Sequence, residues 1–156
     1  MSRAFVKEPE AKEPRCPPTV GGCGGVGFPV TVATVRANVG NAELPEFHGD
    51  VFYCSNPGCA IAYFDGFGTR VERTELLRKA WPKDPDGVAC SCFLVAVETI
   101  EEYALNGNKA AMRELLNRAA SGEARCATRA PDGRSCATEV RRIFMRTLGL
   151  EPPGSA

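Results

Sequence analysis

The sequence predicts an α+β protein, with a small β-rich part first and a helical part after it. Runs rich in β-branched and aromatic residues lie between residues 30 and 65, and helix-forming runs dominate from residue 92 onward. The eight cysteines of the 156-residue chain divide four to each part. The implied division is a disordered tail over 1–15, a β-rich unit over 16–73, a helical unit over 74–150 and a tail over 151–156.

Taken in order, the opening "MSRAFVKEPEAKEPR" is charged and proline-bearing. The following "CPPTVGGCGGVGFP" has too much glycine and proline for a regular element and reads as a tight knuckle. "VTVATVRANV", dense in β-branched residues, reads as a strand. "VFYC" and "CAIAYF" read as two strands around an "SNPG" turn. "TELLRKA", residues 74–80, reads as a short helix capped by Thr74. From Cys92, "CFLVAVETIEEYALNG" reads as a helix ending near Asn106–Gly107, and "NKAAMRELLNRAASG" as a second helix ending at Gly122. "CATRAPDGRSC" is a turn-rich loop, and "ATEVRRIFMRTLG" a third helix with Ile143, Phe144 and Leu148 facing inward.

Basic and acidic residues number 19 each, so no general cationic field draws nucleic acid or an anionic membrane. The N-terminus lacks the apolar core of a secretory signal, and no stretch is long enough for membrane insertion. The expected location is cytoplasmic, where the redox poise disfavours structural disulfides. Oligomeric state is not encoded in any motif.

The thiols therefore read as metal ligands or as small core residues. Cys90, Cys92, Cys126 and Cys136 follow the spacing C-x-C-x33-C-x9-C. Cys90 and Cys92 enter a predicted helix, Cys126 follows one, and Cys136 precedes another. Helix N-termini after Cys92 and Cys136 would favour an anionic four-thiolate centre. Such a set holds [2Fe–2S], [4Fe–4S] or zinc, and spacing does not separate them. In the first part, the knuckle and the "NPG" turn offer Cys16 with Cys23 and Cys54 with Cys59, the usual way to close a tetrahedral zinc site. Cys16 is the least regular of these, and His48 is an alternative fourth ligand. Asp50 and Asp65 are further oxygen donors.

"VACSCFLVAVETIEEYA" and "GEARCATRAPDGRSCATEV" resemble the [2Fe–2S]-binding helical module of bacterioferritin-associated ferredoxin (BFD-like), and more closely its version in the N-terminal domain of CopZ-type copper chaperones. Ile100, Pro131, Gly133 and Val140 stand at the family's motif positions, while Ala137 replaces the second member of its final cysteine pair. "CGGVGFPVTVATV" and "FYCSNPGCAIAYFD" resemble the family's upstream zinc-binding segments, so the similarity runs from residue 16 to about residue 145. The resemblance implies Cys90, Cys92, Cys126 and Cys136 as [2Fe–2S] ligands, and Cys23, Cys54, Cys59 and Cys16 as zinc ligands. No M-x-C-x-x-C copper motif follows, so the zinc and iron–sulfur part is expected to stand alone.

The function implied is electron transfer in support of metal (copper) reduction or handling. The implied partner is a metal-handling or redox protein, such as a copper transporter or chaperone. Arg125, Arg129 and Arg134 beside the ligand cysteines would offset cluster charge or present a docking surface. The alternative is a metal-dependent scaffold or redox sensor that binds a partner protein. An enzyme is not expected: the lone histidine has no acid–base partner in sequence, and "GGCGGVG" lacks the strand–helix setting of a nucleotide loop.

Overall fold

The computed structural model describes residues 13–40 and 44–150. The two expected tails lie outside the described residues, except for 13–15. There Arg15 pairs with Val26 in an isolated antiparallel bridge, so order begins before Cys16. Among the described residues, no helix is long and apolar enough to cross a membrane.

The first region is a four-stranded antiparallel sheet in sequence order: β1 (Phe28–Val30), β2 (Val51–Tyr53), β3 (Ile61–Asp65) and β4 (Arg70–Glu72). The expected hairpin is present, with Val51 opposite Asp65 and Tyr53 opposite Tyr63. Every residue of the central strand β3 is buried. A register shift against β4, between Ile61 and Tyr63, breaks the usual alternation. Ala62 and Tyr63 therefore join one apolar cluster, while Ile61 and Phe64 join another that contains Cys16, Cys54 and Cys59. The turn after β3 is closed by the Asp65 carboxylate, which accepts from the backbone N–H groups of Phe67 and Thr69, both at 2.9 Å. Burial works to raise this carboxyl, but these donors and the His48 N–H hold it below the usual carboxylate range.

Residues 30–39 do not form the expected strand. Only Val30 belongs to β1, and Val32–Val39 is a helix, α1. Thr31 caps it, its hydroxyl accepting from the Thr34 N–H at 3.2 Å. The buried positions are Thr34, Val35, Asn38 and Val39, one stripe at helical spacing. Two of the four are polar, which hid the period beneath the β-branched composition. Asn38 is satisfied by donating to the Thr34 carbonyl at 2.8 Å.

Residues 74–80 do not form the expected helix either. Glu72 and Glu75 make a capping box around a single 3-10 turn over Arg73–Glu75. The chain then extends at Leu76, because the Leu77 N–H is taken by the Asn38 carbonyl at 2.8 Å and Ala80 bridges to Val88.

The second region opens with a small hairpin, β5 (Val88–Cys90) and β6 (Val95–Ala96), followed by α2 (Val97–Leu105), α3 (Lys109–Ala119), α4 (Cys126–Arg129) and α5 (Ala137–Thr147). The helix expected from Cys92 thus begins five residues later, because residues 88–96 pair as strands. Asn108 caps α3 by accepting from the Ala111 N–H at 3.1 Å. Ile100 of α2, Met112 and Leu115 of α3, and Val140 and Ile143 of α5 close one core. Phe144 packs at its edge, whereas Leu148, expected inside, is 40% exposed.

The loop carrying Cys126 and Cys136 is fastened to the first region. The Thr34 hydroxyl donates to the Ala127 carbonyl at 2.8 Å, and the Tyr63 hydroxyl to the Pro131 carbonyl at 2.7 Å. Tyr63 is fully buried, so removing its hydroxyl leaves that carbonyl without its donor. Tyr63→Phe is expected to lower unfolding stability by about 1–2 kcal/mol, read by urea denaturation.

Candidate metal centres

The first centre is built from two loops. The Cys16 N–H donates to the Gly25 carbonyl at 2.8 Å and the Gly24 N–H returns to the Cys16 carbonyl at 3.0 Å, closing the knuckle on itself. A side chain has no room at Gly22, where a Cβ would meet the Pro17 oxygen at 2.5 Å and the Cys16 sulfur at 2.7 Å. The facing loop leaves β2 at Cys54 and returns at Cys59, whose N–H donates to the Asn56 carbonyl at 3.2 Å.

These loops bring the sulfurs of Cys16, Cys23, Cys54 and Cys59 within 4.8 Å of one another. Cys16 and Cys59 are 3.8 Å apart, and Cys23 and Cys54 are 3.6 Å apart. With metal–sulfur bonds of about 2.3 Å, two thiolates on one tetrahedral ion sit about 3.8 Å apart, so the set fits a single ion. Cys16 belongs to this group and His48 does not. The His48 ring instead meets Phe67 edge-on, at a centroid distance of 5.9 Å. Neither Asp50 nor Asp65 joins the set.

Cys16, Cys54 and Cys59 are buried while Cys23 reaches the surface. Burial pushes the Cys16 thiol up to about 11 and raises Cys54 further. At Cys54 the Asn56 N–H and the Lys83 charge pull the other way. Cys23 comes down to about 6, because the Asn56 side chain and the Gly25 N–H outweigh its burial. One thiol of the four is thus ready to ionise near neutral pH, which suits a site that must lose protons to take a metal.

The second set is arranged differently. Cys90 ends β5, Cys92 lies in the turn before β6, Cys126 opens α4, and Cys136 is the N-cap of α5. The expected helix terminus at Cys92 is therefore replaced by a hairpin turn; the one at Cys136 is present. The sulfurs of Cys92 and Cys126 lie 3.5 Å apart. Cys90 and Cys136 form the other pair: the Cys136 thiol holds Cys90 down to about 6 against its burial, and Cys90 in turn raises Cys136. Among the described residues, only the first set gathers three or more sulfurs within 4.8 Å of one another.

This architecture has a counterpart among solved structures. The chain resembles the Archaeoglobus fulgidus CopZ N-terminal domain. The two share 25% identity at a TM-score of 0.61, over 83% of this chain and 96% of that one. No family model and no curated protein matches the chain. The protein is thus a distant CopZ-like fold homologue with a four-cysteine cluster capable of binding a metal ion.

Within this CopZ-like frame, the three arginines expected near the second thiols make contacts of three kinds. Arg125 donates its backbone N–H to the Cys92 sulfur at 3.2 Å, while its guanidinium turns to the Gly122 carbonyl. The Arg129 guanidinium bonds the Cys92 carbonyl at 3.4 Å, and that of Arg134 lies over the Phe28 ring at 4.4 Å. The cation whose charge lowers Cys90 is Arg118, which sits 4.0 Å over the Phe93 ring. Arg118 lies on α3, eight residues before Cys126, and carried no signal in the sequence. Asn56 and Lys83 were likewise missed, although the "SNPG" turn pointed to the loop that uses Asn56.

Gly22→Ala is expected to weaken divalent-metal binding about tenfold, the overpacking cost of forcing a Cβ between Pro17 and Cys16. Gly66→Ala, where nothing lies within 4 Å, should leave it unchanged. Competition with a chromophoric chelator measures both.

Proposed function

We propose that this chain is a zinc- and [2Fe–2S]-binding electron-transfer protein that supports metal reduction or handling, with copper as the metal served. The observation that carries the reading is the contrast between the two cysteine sets. Cys16, Cys23, Cys54 and Cys59 converge on one point, as a closed structural zinc site requires. In the second set Cys92 and Cys126 pair at 3.5 Å while Cys90 and Cys136 act on each other's ionisation, a division that suits a centre with two metal atoms. The CopZ-like fold supports the same assignment.

Bound at the paired thiols, a [2Fe–2S] cluster supplies one-electron chemistry. The chain's own residues set the conditions for it. Val97, Ile100 and Val140 pack against the thiols and exclude water from one side. The Arg125 N–H donates toward the Cys92 sulfur, and such outer contacts tune a centre of this kind. Cys92 is buried, but its neighbour Cys126 is only half-buried and Leu94 is 63% exposed, so this pair lies near the surface. An electron therefore has a short exit to a docked partner. No M-x-C-x-x-C motif lies within these 156 residues, so copper would be met outside them. The role is that of an electron carrier rather than an enzyme.

Anaerobically purified protein is expected to hold about two iron, two sulfide and one zinc per chain. It should show visible sulfur-to-iron absorption that bleaches and returns on one-electron reduction and reoxidation. Cys126→Ala should lose the iron and keep the zinc, because the two sets are separate. A chain with no reversible one-electron step would defeat the electron-transfer reading.

A further inference from the structure

Lys83 is fully buried. Its ammonium makes one hydrogen bond, to the Asn56 carbonyl at 3.3 Å. That carbonyl also accepts the Cys59 N–H, so it lies inside the loop that joins Cys54 to Cys59. Among the described residues, no carboxylate comes within 4 Å of Lys83. The adjacent Asp84 turns instead to Arg73, at 3.8 Å. A buried ammonium without a counter-charge costs several kcal/mol, and an apolar side chain would fill the same space at less cost.

The position is not an accident of a loose loop. The segment bearing Lys83 is pinned at both ends: the Trp81 N–H donates to the Val88 carbonyl at 3.1 Å, and the Val88 N–H to the Lys79 carbonyl at 2.9 Å. The Asp84 N–H reaches the Ala80 carbonyl, and Gly87 passes so close that a Cβ would meet the Ala80 nitrogen at 2.7 Å. The loop is built to deliver one long side chain into the first region.

We propose that Lys83 is the counter-charge of the four-cysteine centre, a positioning residue that sets how tightly Cys16, Cys23, Cys54 and Cys59 hold a divalent ion. Four thiolates on a doubly charged cation leave two negative charges in a largely buried site. The ammonium offsets part of that charge and holds the loop between two of the thiolates through the Asn56 carbonyl. This inference rests on the metal-binding reading of those cysteines.

The test uses the full chain, stripped and then titrated with cobalt(II) or zinc(II) alone under reducing conditions. Two variants separate charge from shape: Lys83→Met keeps the buried stem without charge, and Lys83→Gln keeps a donor for the Asn56 carbonyl without charge. Both are expected to give the wild-type cobalt–thiolate spectrum, showing four sulfurs in place. Both should release the metal to a competing chelator about tenfold or more readily. Affinity equal to wild type in either variant overturns the proposal. So does an altered cobalt spectrum or a reduced metal count, which would make Lys83 a packing residue. If the wild-type chain itself binds no cobalt or zinc through these cysteines, the metal-centre reading fails and the inference with it. Wild-type binding that the variants match defeats the inference alone.

Discussion

The structure turns on the slip in register where β3 meets β4. A strand buried on both faces normally sends alternate side chains to opposite sides. Here the shift between Ile61 and Tyr63 sends Ala62 and Tyr63 to the α1 side and leaves Ile61 and Phe64 beneath the thiols. Buried on both faces, this strand of five residues supports two apolar clusters. Residues 59 and 61 fall in the cluster that contains the sulfurs, and Tyr63 is left facing the other half of the molecule. Alternation alone separates Tyr63 from Phe64; the slip adds Ile61 to the floor of the first centre while Tyr63 keeps the opposite face.

The two cysteine sets show how local backbone decides what four thiols can hold. In the first, two compact loops face each other, and each is closed by its own backbone hydrogen bonds. The thiols have little freedom and converge. In the second, the thiols are spread over a strand end, a hairpin turn and two helix starts. These four supports do not share a focus, and the sulfurs settle as pairs. The electrostatics differ as well. The first set has a buried cation, Lys83, bonded to the loop between Cys54 and Cys59. The second is met by the Arg125 N–H and by an arginine anchored on a phenylalanine ring.

How much of this was legible depended on what each residue advertises. The cysteine grouping, the "SNPG" hairpin and the last two long helices stood out, because turn residues and apolar spacing act locally. Residues 32–39 misled, because Thr34 and Asn38 lie on the buried face and are satisfied there by hydrogen bonds that no local pattern records. Residues 74–80 misled in the opposite sense. Their composition favours a helix, but distant partners claim the backbone of Leu77 and Ala80. The start of α2 was placed too early, because a strand pairing of so few residues is invisible beside a long apolar run. Arg118, Asn56 and Lys83 reach their positions only through tertiary packing. A lysine in "WPKDPDG" reads as a solvated loop residue until the fold shows it enclosed.

The fastening of the 126–136 loop to Thr34 and Tyr63 has a consequence for the order of manufacture. Both anchors precede the loop in the chain and therefore leave the ribosome first. The sheet and α1 carry the anchors against which the later loop is set, and those anchors place Cys126 and Cys136 beside Cys92 and Cys90. Vectorial synthesis and native geometry run in the same direction. Cys136, whose partner Cys90 lies farther off in sequence than that of any other pair, is the last of the eight to be made.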